Sequence, residues 1–146
     1  MAEQSSTRQL VVFSLGEEEY ALPINQVQEI IRYTEPRAVA SDEAWIRGVI
    51  SLRGKIVPVC DLAARLGLFS EDKISGKIVI VETGSVTAGI IVDDVDEVLT
   101  IEDQQLDDVP AAGSDSIEGI AKVGDRLVVL LNTEGIFGGV ELAVAA

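Results

Sequence analysis

Short apolar runs alternate with polar, glycine-bearing breaks along this chain, and most runs have the length of a strand. Residues 10–24 read LVVFSLGEEEYALPI: an apolar run, a Gly-acidic turn and a second apolar run. That is the pattern of a β-hairpin rich in Val, Leu, Phe and Tyr. In NQVQEIIRY at 25–33, Val27, Ile30 and Ile31 fit a helical face and strict alternation is poor, so the spacing predicts a short helical turn followed by a strand. Pro36 ends that segment, and SDEAWI at 41–46 reads as a capped turn leading into a strand. WIRGVISLRGKIVPVCDL at 45–62 is a second hairpin, with Leu52-Arg53-Gly54-Lys55 at its tip. Pro58 inside a strand predicts an edge or a bulge, and Trp45 is expected to cover a barrel end. DLAARLGLF at 61–69 predicts a short helix with Asp61 as N-cap.

The strand pattern restarts at Lys77 with KIVIVETGSVTAGIIVDDVDEVLTI, and the polar stretch 102–116 reads as a loop. IEGIAKVGDRLVVLLNTEGIF at 117–137 then supplies a last hairpin and a short closing helix. Two short helices in a chain full of Val and Ile predict an all-β fold of short strands, hence small barrels. The first nine residues are polar and expected to fray, and 140–146 form a C-terminal tail.

The chain also repeats itself. At an offset of 68, LVVFSLG sits over IVIVETG, and ALPINQVQEII over GIIVDDVDEVL, matching Val27 to Val95 and Glu29 to Glu97. At an offset of 71, IRGVISLRGKIVPVCDL sits over IEGIAKVGDRLVVLLNT, matching Gly48 to Gly119. Two pseudo-repeats, about 10–69 and 77–137, are therefore expected within one domain spanning 10–139. Each would hold about five strands and share an apolar interface with the other, because a lone unit of this size buries too little surface. Strand exchange between them is possible. Arg53 faces Gly124 in this alignment, so the barrel itself does not require arginine there.

Composition removes much of the catalytic repertoire. There is no histidine, so Ser-His-Asp and Cys-His catalysis, His-bearing metal sites and a phospho-accepting histidine are all excluded. The single Cys60, in an apolar run, rules out an internal disulfide and a thiolate zinc cluster and reads as a buried thiol. A net charge of −14 argues against nucleic acid and against an anionic membrane surface, and favours partners with basic patches. No apolar run approaches the roughly 18 residues of a spanning helix, and the N-terminus lacks a signal-peptide core, so a cytoplasmic location is expected.

Individual motifs fail on inspection. GIIVDDV at 89–95 resembles the acidic strand end of a phospho-receiver domain, but no βα alternation follows it. SGK at 75–77 resembles the end of a phosphate loop, but position 71 is Glu where a glycine is required. The acidic clusters lack the alternating oxygen ligands around a Gly that a calcium loop needs, and solvated turns are the better reading. No catalytic residue, metal ligand or cofactor-binding residue is assigned.

Taken together, VVFSLGEEEYALPINQVQEII, IRGVISLRGKIVPVCDLAARLG, GIIVDDVDEVLTI and IEGIAKVGDRLVVLLNTEGIF resemble the CheW family, the coupling proteins of bacterial chemotaxis. The LRG-apolar-PV-x-DL and YALPI-x-x-VQEI blocks carry most of the likeness. The resemblance implies two five-stranded, SH3-like β-barrels around a shared hydrophobic centre, and a non-enzymatic adaptor. It implies two partners, the cytoplasmic helical tip of chemoreceptors and the regulatory domain of the CheA histidine kinase. It carries the receptor-facing role onto Val27, Ile30, Gly48, Arg53 and Val98, and makes Glu29 a partner-contact or interface-shaping residue. Arg53 would pair with a carboxylate or a helix C-terminus of the receptor, where a fixed donor fork serves better than an ammonium. The alternatives are an adaptor of the same kind in a non-chemotactic kinase pathway, and a small β-barrel enzyme or ligand-binding protein.

Overall fold

In the computed structural model, residues 7–40, 44–68, 76–83, 86–107 and 116–137 are described. The strands are β1 (Thr7–Leu15), β2 (Glu18–Pro23), β3 (Val27–Arg32), β4 (Ile46–Leu52), β5 (Lys55–Asp61), β6 (Lys77–Thr83), β7 (Val86–Val92), β8 (Asp94–Glu102), β9 (Leu106–Asp107), β10 (Ile117–Val123) and β11 (Arg126–Leu131). Two short helices, α1 (Leu62–Arg65) and α2 (Thr133–Phe137), and 3-10 turns at Ile24–Gln26 and Asp103–Gln105 are the other elements among the described residues. The all-β expectation holds, as does the helical turn before β3. Within the stretch read as a loop at 102–116, Glu102 ends β8, Asp103–Gln105 form a 3-10 turn and Leu106–Asp107 pairs with β10. Residues 1–6, 41–43, 69–75, 84–85, 108–115 and 138–146 of the sequence-based assignments lie outside the described residues. Thr7–Gln9, expected to fray, are instead held in β1 by pairing with β8.

The strands form two sheets, in the orders β8-β1-β2-β11-β10-β9 and β3-β6-β7-β5-β4. Each sheet draws on both halves of the chain. β2 runs parallel to β11, and β5 runs parallel to β7, so the two parallel pairs join early strands to late ones. Both sheets curl toward closure in the same way. After β3 the backbone returns along β4, where Arg37 N–H donates to Val49 O (2.8 Å) and Val49 N–H to Arg37 O (2.9 Å). After β8 it returns along β10 through β9.

Strand alternation fills three cores, because successive side chains point to opposite faces. Leu10 and Val12 of β1 line one barrel with Val128 and Leu130, while Phe13 and Leu15 face a core shared by the barrels. Likewise Ile78 and Ile80 of β6 line the other barrel with Val57 and Val59, while Val79 and Val81 face the shared core. Trp45 sits in that shared core rather than over a barrel end, beside Phe137 and under the Arg65 guanidinium at 5.3 Å. Arg65 also donates to Ile136 O and Gly135 O, both at 3.1 Å, which fastens α1 to the last turn of α2. Asp61 caps α1 as expected, its Oδ1 accepting from Ala64 N–H (3.2 Å).

Pro58 marks neither an edge nor a bulge. β5 lies inside its sheet, between β7 and β4, but its parallel pairing with β7 begins one residue later, at Val59–Gly89. A proline is tolerated there because the ladder to β7 has not yet begun, although Pro58 is already paired with Val49 of β4.

Candidate partner-binding face

β3 is bulged near its start. Its pairing with β6 runs from Val27–Val81 to Glu29–Ile80 and skips Gln28. β8 has the same feature against β1, from Val95–Phe13 to Glu97–Val12, skipping Asp96. Val27 and Val95 both pack against the shared core, so the two bulges flank the seam between the barrels. Beyond each bulge one large aliphatic is turned to solvent: Ile30 is 41% exposed and Val98 51%. Ile30 and Val98 stand 68 residues apart, the offset of the sequence repeat.

Between Gln28 and Ile30, Glu29 receives both forks of Arg53. Arg53 Nη1 donates to Glu29 Oε2 (2.7 Å) and Nη2 to Oε1 (3.0 Å). The pair ties the tip of the β4–β5 hairpin to β3, which lies on the opposite edge of the same sheet. The resemblance gave Arg53 a carboxylate on a partner and left Glu29 as a partner-contact or interface-shaping residue; here the two meet each other. Their mutual contact uses the bidentate geometry that an external carboxylate would have taken, because the curl of the sheet brings the hairpin tip to Glu29. Arg53 nonetheless keeps 72% of its side chain exposed, while Glu29 keeps 20%.

The backbone at Arg53 is unusual. It has φ 53° and Gly54 has φ 79°, and the hairpin closes on Leu52–Lys55. Both central residues of this two-residue turn therefore have positive φ, as a type I′ turn demands. Asn or Gly normally fills the first position, and another side chain there is strained by about 1–2 kcal/mol. In the other barrel that position is Gly124, φ 62°. Arginine therefore occupies a site where the backbone favours glycine.

Gly48 and Val27 have structural surroundings. A Cβ at Gly48 would lie 2.1 Å from Arg37 O, so glycine there allows the closing segment to approach β4. Val27 is half-buried against the shared core. The described geometry thus joins Glu29 to Arg53 directly and sets Ile30 beside them, and it places Val98 on the other sheet. The sequence reading missed Ile56 and Leu127, exposed aliphatics that follow the tips of the two equivalent hairpins. Their signal was present: they are 71 residues apart and fall in the opposite parity to buried Val57 and Val128.

Among the described residues, no group of three or more His, Cys, Asp or Glu could hold a metal ion, and no helix is long and apolar enough to cross a membrane. The Cys60 thiol is buried, and burial together with neighbouring Asp61 pushes its pKa up to about 12, so it is inert as a nucleophile near neutrality.

Comparison with known proteins decides the family. The CheW-like domain model matches residues 9–141. This chain belongs to the CheW family. Its relatives include the probable chemotaxis protein CheW of Rhizobium etli, 33% identical over 94% of this chain and 92% of that protein. The chemotaxis protein CheW of Bacillus subtilis is 32% identical over 92% of this chain and 90% of that protein. The crystal structure of the scaffolding protein TtCheW from Thermoanaerobacter tengcongensis superimposes with a TM-score of 0.85 at 35% identity, covering 91% of this chain and 94% of that one. CheW proteins are scaffolding adaptors rather than enzymes, and this chain has the chemotaxis adaptor role of its family.

Proposed function

We propose that this CheW-family chain is a cytoplasmic coupling protein that binds chemoreceptor cytoplasmic tips and the regulatory domain of the CheA kinase, holding both in one signalling assembly. The functional unit is a single module over 10–139, composed of the pseudo-repeats 10–69 and 77–137. Its receptor face is the pair of bulged strands flanking the seam. Ile30 and Val98 offer apolar contacts, and Arg53 offers a fixed cation beside Ile30. Glu29, Val27 and Gly48 shape that face from behind: Glu29 aims the guanidinium, Val27 anchors β3 in the shared core, and Gly48 lets the barrel close. A receptor tip is a helical hairpin, and an apolar ridge with a carboxylate or helix C-terminus beside it complements such a face.

The observation that carries this reading is the strained, exposed arginine. Backbone strain that a glycine would relieve is kept where the side chain has work to do. The half-exposed ion pair with Glu29 is worth only about 0–1 kcal/mol and does not justify the strain on stability grounds. Arg53→Gly should therefore leave the thermal midpoint unchanged or raise it, while receptor binding falls by about tenfold or more. The check is titration calorimetry against a soluble receptor cytoplasmic fragment and, separately, the kinase regulatory domain, with thermal melts alongside. Wild-type protein that binds neither partner would remove the proposal, and Arg53→Gly that binds receptor normally would remove Arg53 from the face.

A second reading has one observation in its favour. Protein PilI of Pseudomonas aeruginosa is 33% identical over 87 residues, 57% of this chain and 47% of that protein. A CheW-like chain need not carry the chemotaxis name, and an adaptor serving another kinase pathway would use the same face with a different helical partner. Pull-down from the native cell separates the two by which receptor and kinase are recovered.

A further inference from the structure

The second barrel carries its own arginine clamp behind the bulge, and this one holds two strands. Arg126, the first residue of β11, donates from Nε to Glu19 Oε1 (3.0 Å) and from Nη2 to Glu19 Oε2 (2.9 Å). The same Nη2 donates to Glu97 Oε2 (2.6 Å). Glu19 lies on β2 and Glu97 on β8, and β1 separates those strands in the sheet. One guanidinium therefore spans the barrel mouth from β11 past β2 to the bulge of β8. Glu97 aligns with Glu29, but the arginine comes from the other side of its turn: Arg53 aligns with Gly124, and Arg126 with Lys55. The two barrels fix the same point of the same bulge by different residues.

The surroundings of this clamp are strongly acidic. Asp96, the skipped residue of the bulge, has its pKa raised, first by desolvation and then by Glu19, Asp94 and Glu97, with Arg126 opposing them. Lys77 pairs with Asp94 at 3.4 Å, while Arg126 pairs with Glu19 and Glu97 and acts on Asp96 through its charge. Without the guanidinium these carboxylates would repel one another across β1, between β2 and β8. A bulge aims the side chains next to it, so the strand segment displaced by that repulsion is the one that presents Val98.

We propose that Arg126 is a positioning residue for partner recognition: by tying Glu97 to Glu19 it fixes the bulge of β8 and holds exposed Val98 in its binding pose. The inference rests on the assignment of Val98 to the receptor face made above. Arg126 need not touch the partner. It acts through Glu97, as Glu29 acts through Arg53 in the other barrel, with the charges exchanged.

The test is a set of mutant cycles read by titration calorimetry against a soluble chemoreceptor cytoplasmic fragment. Arg126→Gln should weaken binding about tenfold. In a Val98→Ala background the same change should cost almost nothing further, because the contact it positions is gone. In an Ile30→Ala background it should cost its full tenfold, because Ile30 sits on the other barrel. A general loss of structure would cost the same in both backgrounds, and that result overturns the proposal. So does binding within twofold of wild type for Arg126→Gln alone. Should Arg126→Gln fail to fold by circular dichroism, Glu97→Gln keeps the Arg126–Glu19 pair, weakens the link to β8, and must give the same pattern of coupling. Wild-type protein that does not bind the fragment removes the receptor assignment and this inference together. Wild-type binding with an unaffected Arg126→Gln removes this inference alone.

Discussion

Gly48 and Gly119 do the same work at different clearances. An added Cβ would lie 2.1 Å from Arg37 O at the first and 2.8 Å from Asp107 O at the second, and Gly48 also has φ 148°. Gly48→Ala should therefore cost more than Gly119→Ala, on the order of 3 kcal/mol against 1–2 in urea unfolding. Aligning the sequence with itself pairs these glycines but cannot reveal what approaches them, since both contacts arise from chain that leaves one sheet edge and returns along the other. Arg53 was hard to read for the same reason. Its turn is local and legible, but Glu29 lies 24 residues away and meets it only once the sheet has curled. Cys60 gives a second prediction at this scale. Its thiol has a pKa of about 12 in the folded protein against 9.0 unperturbed, so both states hold the proton below pH 9. Above that the unfolded chain releases it while the folded chain keeps it, and stability falls by up to about 1.4 kcal/mol per pH unit. Urea unfolding at pH 8 and pH 10 should show wild type losing about 1 kcal/mol more than Cys60→Ala between the two.

At the scale of elements, the joint between α1 and α2 is the clearest dependency. α2 spans five residues, far too few to hold a helix unaided. It is kept by Ile136 and Phe137 in the shared core, by Thr133 Oγ1 donating to Gln26 Oε1 (3.0 Å), and by Arg65 on its last carbonyls. Arg65→Ala removes two hydrogen bonds and the cation over Trp45 in one change. It should destabilise the protein by about 1–3 kcal/mol and shift the emission of Trp45, the chain's single tryptophan, to the red, which fluorescence reports directly. Both helices were legible in the sequence, α1 from its Asp61 cap and α2 from its position after the last hairpin. Their contact was not, because nothing local to residue 65 identifies a partner near residue 136. Trp45 was misplaced for a related reason: in one dimension a tryptophan over a barrel end and one in a seam between barrels look alike.

For the whole molecule, the decisive feature is that each sheet is completed by strands from the far half of the chain. Most strands and the paired glycines could be read beforehand, but neither the two-residue β9, which makes one sheet six-stranded, nor the exchange could, since alternation records burial and says nothing of which neighbour does the burying. Neither half should fold alone. Fragments cut between Gly67 and Lys77 should each lack strand signal in circular dichroism and regain it on mixing, and a half that folds by itself would contradict the exchanged topology. Intact protein should unfold in one transition, with Trp45 fluorescence and far-ultraviolet ellipticity coinciding. The exchange also sets a timetable during synthesis. β1 and β2 are made before both strands that flank them, β8 and β11, and β11 is the last of the described strands. At bacterial elongation speeds that is a wait on the order of ten seconds. The β1 edge waits for β8 and the β2 edge waits longer, for β11, so an apolar hairpin edge stands unpaired through that interval and is open to pairing with another chain.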